Sequence, residues 1–376
     1  MAVSENSGNR QRRGMGRPSP GRAPRRGTRS GRVARAWGNG LPFAAAAAFS
    51  ALFIYLGVTN GELRMSLADV LRTLLRASGN PDFELAVFQF RLPRIVLGAL
   101  VGFALGFAGS AVQTLTRNPL ADPGILGIHS GAGLFTVLFM VALPGGAALQ
   151  GAAAVLAMPV FSMIGGLLST ALLYLLAQSK GSFDPGRFVL VGIAVGSGFG
   201  AGTLYLSLKM NPQDFERAAM WLSGNLNSAN WLYAAAVLPW VLILAPYLWI
   251  RSRAMDLLRL NDSSLISLGV PLRRTRNGLL AASVGLTAAG VSVAGSIAFV
   301  GLIAPHLAYR LTGQANRRAL PLSGLIGMGL VLAGDFIGRT VFSPAQLPVG
   351  VAISILGAPY FAYLLIRQQA PRNRGY

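Results

Sequence analysis

The stretch RLPRIVLGALVGFALGFAGSAVQTLTRNPLADPGILGIHSGAG, residues 91–133, sets the terms for the whole chain. Arg91 and Arg94 precede an uncharged run from Ile95 to Thr116, and a bilayer crossing needs about 20 such residues. Gly98, Gly102 and Gly106 share one helical face, where bare backbone lets a neighbouring helix come close. Arg117 ends the run. Asn118 with Pro119, and Asp122 with Pro123, then force turns before a second apolar run opens at Gly124. The pattern is two membrane helices joined by a short, stiff polar loop.

The rest of the sequence has the same character. Of 376 residues, 53% are apolar and 12% charged, against about a quarter charged in soluble domains. Mean hydropathy is +0.52, an excess that water-facing surfaces do not absorb, so most of the chain belongs in lipid. Apolar runs recur at 41–58, 95–116, 124–143, 148–177, 188–208, 231–250, 278–294, 297–309, 321–340 and 347–366. The expected fold is an all-α polytopic membrane protein with about ten transmembrane helices. Alternating these from a cytoplasmic N-terminus puts 25 of the 33 Lys and Arg inside and 8 outside. Positive-inside bias therefore predicts both termini in the cytoplasm.

Residues 1–40 are read as a separate disordered, Arg-rich cytoplasmic tail, with Glu5 as the one acid and too little apolar surface to offset ordering entropy. Arginines before the first apolar run hold that end inside and meet anionic headgroups of the membrane lipid. No aromatic residue interleaves them before Trp37, so nucleic acid is not expected as a partner. A cleavable signal peptide is the other reading of a basic segment before residues 41–58, and the many later spans favour a retained helix. The transmembrane domain covers 41–367, and 368–376 form a short basic tail.

Other classes are narrowed by what the sequence contains. With no cysteine there is no disulfide, thiolate metal site or cysteine nucleophile. The two lysines, Lys180 and Lys209, sit in no phosphate-cradling loop, so nucleotide hydrolysis is not expected and the chain is not read as an enzyme. An ion-coupled carrier generally needs ionisable groups at mid-bilayer, and the spans are nearly bare of them. Asp335 and Arg339 are the main exception; four apart on one helical face, they read as an intrahelical ion pair or as an outward-facing charge. Glycines at intervals of four return at Gly192, Gly196 and Gly200 and at Gly334 and Gly338, read as packing seams, some of which border a pathway.

Residues 91–133, together with GSIAFVGLIAPHLAYRLTG at 295–313 and QLPVGVAISILGAP at 346–359, resemble in the same order the FecCD-type permeases, membrane subunits of ABC importers for iron–siderophore complexes, haem and cobalamin. With Asp335 and Arg339 between them, the resemblance covers essentially residues 91–367. It implies the cobalamin-importer-like permease fold in a bacterial inner or plasma membrane. It also implies import dependent on an extracytoplasmic solute-binding protein, a second permease copy or paralogue, and two ATP-binding cassette subunits that use ATP and Mg. This chain itself is expected to bind no cofactor and no metal. Iron(III)–siderophore complexes are the expected cargo, with haem or cobalamin as alternatives; an ion-coupled secondary transporter is the rival from another class.

By position, the resemblance makes Arg91, Arg94 and Arg339 the docking charges for the binding protein, since guanidinium forks suit carboxylates. Read on their own, Arg91 and Arg94 are equally interfacial anchors. The segment LRLNDSSLISLGVPLRRTRN, 258–277, matches the family's ATPase-coupling helices through Leu260, Asp262, Leu268 and Gly269. Asn261 stands where glycine is common and Leu265 where alanine is usual. From the residues alone, Asn261 or Asp262 can cap a short helix, Gly269 can close it and Pro271 stops it; an ordinary basic loop is the plainer reading. Asn118, Pro119 and Leu120, with Asp184 and Pro185, match loops that close the cytoplasmic end of the family's pathway. Gln346 replaces the usual glutamate. His306 matches a family histidine and is read as structural, and His129 receives no role.

Overall fold

The structure, a computed structural model, describes residues 29–61, 63–77, 79–143, 150–178, 185–260, 262–267, 269, 271–343 and 345–369, with side chains from Gly40 onward except at 125, 185 and 367–369. Two units are distinguished, Met1–Asn39 and Gly40–Tyr376. Of the first, only the helical backbone from Arg29 onward is described, so the expected tail lies largely outside the described residues. Every described element is helical.

In chain order these are α1 (Arg29–Thr59), α2 (Leu67–Leu74), α3 (Pro81–Leu85), α4 (Leu92–Thr116), α5 (Ile128–Ala142), α6 (Gly151–Ala177), α7 (Pro185–Ser207), α8 (Pro212–Leu222), α9 (Trp231–Ile250), α10 (Ser252–Leu257), α11 (Asp262–Ser267), α12 (Leu272–Ala294), α13 (Val300–Thr312), α14 (Asn316–Thr340) and α15 (Val349–Gln369). A π-helical turn, Ala86–Arg91, joins α3 to α4. Among the described residues, eight helices are long and apolar enough to cross a membrane: Gly40–Thr59, Pro81–Thr116, Gly151–Ala177, Gly186–Ser207, Trp231–Ile250, Leu272–Ala294, Asn316–Thr340 and Val349–Ile366. The third and eighth apolar runs form the shorter α5 and α13, of 15 and 13 residues. Each is shortened at its start. Asp122 caps a 3-10 turn, Pro123–Leu126, ahead of α5, and α13 begins after Phe299, which is held in the left-handed region at φ 67°.

Polar caps set the short elements that flank the spans. Ser66 and Asp69 close a capping box on α2, while Asn211 and Asn230 accept from the backbone N–H groups of Asp214 and Tyr233 to start α8 and α9.

The centre of the bundle is α4, whose most apolar window is 78% buried, as is that of α12. It packs on α14 through bare backbone: a Cβ added at Gly102 would overlap the Gly327 carbonyl, and one at Gly106 the Ser323 carbonyl. Ser323 Oγ donates to the Gly106 carbonyl at 2.7 Å across the same contact. Further along α4, a Cβ at Gly109 would run into Gly301 of α13. Leu97, Val101 and Leu105, on the adjacent face about 100° round the helix, join Leu279 and Leu286 of α12 in the main buried cluster. The glycines of α7 behave differently. Gly200 has open space where a Cβ would be, Gly196 meets only Ser130 Oγ at 3.5 Å and Gly127 Cα at 3.9 Å, and the α7 window is 17% buried. The packing-seam expectation therefore holds for α4 and α14 but not for α7.

Gly102→Ala should thus lower the unfolding temperature and yield of the detergent-solubilised protein. Gly200→Ala should leave both unchanged or gain up to about 1 kcal/mol from helix propensity. Equal tolerance at the two positions would show that the α4–α14 contact is not close.

Candidate functional site

Two clusters of charge sit at the two ends of α4. Its 25 residues rise 1.5 Å each, separating them by about 37 Å, somewhat more than a hydrocarbon core of about 30 Å.

At the N-terminal end, Arg94 grips Asp335 of α14 with two nitrogens. Nε donates at 2.9 and 3.1 Å to the two carboxylate oxygens and Nη2 at 2.8 Å to Oδ1. Nη2 also reaches Asn227 Oδ1 at 3.0 Å. Asp335 is buried, so this forked pair supplies the partner that an ion withdrawn from water needs. Asp335 therefore pairs across helices with Arg94, which corrects the reading of an intrahelical pair with Arg339. Arg339 instead donates from Nη2 to the Gly57 carbonyl at 3.1 Å, while its buried Nε has no partner. Arg91 lies in the π-helical turn, 6% exposed, and donates to the carbonyls of Val58 and Leu63. Its guanidinium ties the end of α1 to the following loop and is not offered to solvent, unlike the exposed fork expected of it. The three cations face one anion, which leaves the cluster positive.

At the C-terminal end, Arg117 takes the left-handed conformation, φ 51°, which costs a non-glycine residue about 1–2 kcal/mol. The turn aims its side chain at the segment after α10. Nε donates to the Leu258 carbonyl at 2.9 Å, and Nη2 to the Leu260 carbonyl at 2.6 Å and to Asp262 Oδ1 at 2.7 Å. Asp262 also receives both terminal nitrogens of Arg276, at 2.9 and 2.7 Å. The hydrogen bonds from Arg276 and then Arg117, with their charges, hold the Asp262 carboxyl below its ordinary value of 3.8 against the opposing effect of partial burial. Asp262 is thus the first residue of α11 and is clamped between two guanidiniums.

The short helix α11 is anchored by Leu265, fully buried among the core residues, while Ile266 stands 67% and Leu260 45% exposed. Gly269 follows at φ 73°, with its N–H on the Ile266 carbonyl at 2.9 Å, a helix-ending geometry. Asn261 and Leu268 lie outside the described residues. Leu265, standing where alanine is usual in the family, turns inward and anchors α11, and the exposed apolar side chain of α11 is Ile266, which the sequence reading missed. Arg117 and Arg276 were missed as well. Their signal was the neighbouring acid, Asp262, far away in sequence from Arg117.

The loop between Arg117 and α5 is held by its own side chains. Asn118 Oδ1 accepts the Leu120 N–H at 2.9 Å, the Ala121 N–H reaches the Asn118 carbonyl at 3.1 Å, and Asp122 Oδ1 accepts the Gly124 N–H at 2.7 Å. Leu120 packs with Leu302, Ile303 and Leu364, whereas Asn118 and Pro119 are exposed. Asp184 lies outside the described residues, and Pro185 opens α7. His306 stacks edge-on with Tyr360, their centroids 6.0 Å apart.

The family model described as the FecCD transport family matches residues 49–367. The chain is 48% identical over 319 residues to the iron-uptake system permease protein FeuC of Bacillus subtilis (strain 168), covering 85% of this chain and 95% of that one. It is 41% identical to the iron(3+)-hydroxamate import system permease protein FhuG of the same organism, over 83% and 93% of the two chains. A solved structure described as an inward-facing conformation of a metal-chelate type ABC transporter superposes with a TM-score of 0.75 at 25% identity, covering 87% of this chain and 99% of that one.

Removing one partner of the Arg94–Asp335 pair should destabilise by about 3–5 kcal/mol, because the other stays buried and uncompensated. Thermal unfolding of Arg94→Ala, Asp335→Ala and the double variant should show the double less destabilised than the sum; strict additivity would contradict the pair. For Asp262, whose pKa is lowered on folding, the contribution is complete above the ordinary value of 3.8 and is lost as pH falls through the lowered one. Hydrogen exchange at Ile266 should accordingly be protected at neutral pH and released in acid, and already released at pH 7 in Asp262→Asn. Protection unaffected by both would remove the clamp.

Proposed function

The chain belongs to the FecCD transport family, and from that membership and the two charged ends of α4 we propose that it is the membrane-crossing subunit of an ABC importer for iron(III)–siderophore complexes. The observation that carries this reading is the pairing of Arg94–Asp335 and Arg117–Asp262 at opposite ends of one buried helix that is uncharged from Ile95 to Thr116. Iron complexes are preferred over haem or cobalamin because the 48% identical relative is an iron-uptake permease.

In this reading α5 and α13 are short crossings that complete ten, both termini face the cytoplasm of a bacterial cell, and two copies or a paralogous pair enclose the pathway. The end bearing Arg94 faces out. Arg94 and Arg339 meet acidic side chains of a solute-binding protein, and opposite charges steer and orient that encounter. Arg91 holds the loop beside them by its two carbonyl contacts.

The other end faces two separate ATP-binding cassette subunits, which hydrolyse ATP with Mg. Leu260, Asn261, Asp262, Leu265, Leu268 and Gly269 form the foot that sits in them, with Ile266 as its apolar tip. Because Arg117 bonds two groups of this foot and the Leu258 carbonyl just before it, a displacement driven by ATP passes to the end of α4 and to the adjoining loop. Asn118, Pro119 and Leu120, with Asp184 and Pro185, then close or open the cytoplasmic mouth. The cargo crosses already chelated, so the chain performs no chemistry on it.

The test is ATPase stimulation by loaded binding protein in the reconstituted complex. Ile266→Arg should abolish stimulation while leaving binding-protein capture intact. Arg339→Glu should weaken capture at least several-fold and restore it at higher binding-protein concentration. Wild-type stimulation in Ile266→Arg would remove the foot from the mechanism, and unaltered capture in Arg339→Glu would remove the docking charge.

A further inference from the structure

His129 on α5 is an ionisable side chain that neither charged cluster uses. Its Nδ1 lies 3.0 Å from Ser296 Oγ, in the non-helical link between α12 and α13. Its Nε2 is buried and has no hydrogen-bond partner. The ring borders a cavity of about 400 Å³ whose polar lining is His129, Ser130, Thr203, Ser207 and Ser296. Among the described residues, no carboxylate, lysine or arginine lines it. The Thr203 hydroxyl donates to the Phe199 carbonyl at 2.9 Å, which leaves its lone pairs toward other partners.

Two further observations point to a ligand. Polar groups within membrane spans are expensive to keep and mark pathways or sites, and non-helical backbone such as the Ser296 link persists at depth only when buried or lining a cavity. The cavity is also bounded by α7, the least buried of the spans. There Gly200 lines the cavity and a Cβ built on it would meet nothing within 4 Å. A wall made for lipid chains gains nothing from four hydroxyls and an imidazole, and a packing seam would have closed on the glycine.

Building on the functional reading above, we propose that His129, Ser130, Thr203, Ser207 and Ser296 form the contact at which the iron complex is held during its crossing, through hydrogen bonds to chelator oxygens. One imidazole and four hydroxyls offer donors and acceptors to an oxygen-rich surface. They supply no carboxylate to compete for the metal, so the iron stays with its chelator. The matching cargo class is a hydroxamate or catecholate complex whose outer oxygens accept hydrogen bonds.

The absence of cysteine in the sequence makes the test clean. Thr203→Cys and Ser207→Cys are each placed in the full reconstituted complex and treated with a charged, water-soluble methanethiosulfonate reagent. Labelling should occur, and binding protein loaded with a ferric trihydroxamate or tricatecholate should slow it at least about fivefold relative to unloaded binding protein. Reaction with a hydrophobic maleimide alone, or equal rates with loaded and unloaded binding protein, would overturn the site in favour of a lipid-facing wall. His129→Ala should lower chelate uptake about three- to tenfold, the worth of one neutral hydrogen bond, and His129→Gln should recover most of it. Equal uptake in all three proteins would also overturn the proposal. Wild-type uptake separates the two readings: if the wild-type complex imports neither chelate, the functional reading fails and this site with it, whereas import with unprotected cysteines sinks the site alone.

Discussion

The close approach of α4 to α14 is the constraint on which the rest depends. With no water and no apolar gain between helices inside a bilayer, association rests on van der Waals contact and on the few hydrogen bonds available. Here the contact is backbone against backbone at Gly102 and Gly106, with the Ser323 hydroxyl bridging to the Gly106 carbonyl. That proximity brings Asp335 within reach of Arg94. Separate the helices by the width of one methyl group and a buried carboxylate loses its partner.

The same helix imposes the geometry of its far end. Because α4 stops at Thr116, Arg117 is the first residue free to leave the helical path, and its left-handed turn carries the guanidinium to the Leu258, Leu260 and Asp262 groups. Strain placed on a bonded, charged residue is worth its cost where a segment must be held in one position and then moved. Asp262 has a second anchor in Arg276, so the foot is gripped by both α4 and α12. In the proposed function, a displacement of this segment would therefore act on the two most buried of the candidate spans among the described residues.

Local sequence displayed the features that depend on near neighbours. The α4 span, the turns at Asn118 and Asp122, and the helix stop at Gly269 follow from apolar length, Asx and proline chemistry, and glycine's access to positive φ. It did not display the partner of Asp335, because Arg94 is 241 residues away and a closer arginine, Arg339, offered the same charge. Burial of Arg91 was hidden for a related reason: its acceptors are carbonyls, which every residue carries. Equal glycine spacing misled at α7, since a seam needs a second helix, and none of the described residues comes within 4 Å of a Cβ built at Gly200. The burial of Leu265 and the exposure of Ile266, to which the sequence reading gave no role, stayed hidden because a short helix has too few turns for its buried face to be read from periodicity.

In the proposed function this chain is a passage whose driving force comes from ATP hydrolysed on another subunit. Uptake of a ferric siderophore into vesicles holding the purified permease, cassette and binding-protein assembly tests that most directly. Accumulation is predicted to require hydrolysable ATP on the side of the foot and to persist with a protonophore present. Accumulation without the cassette subunits, driven by a proton or sodium gradient and abolished by the protonophore, would contradict it.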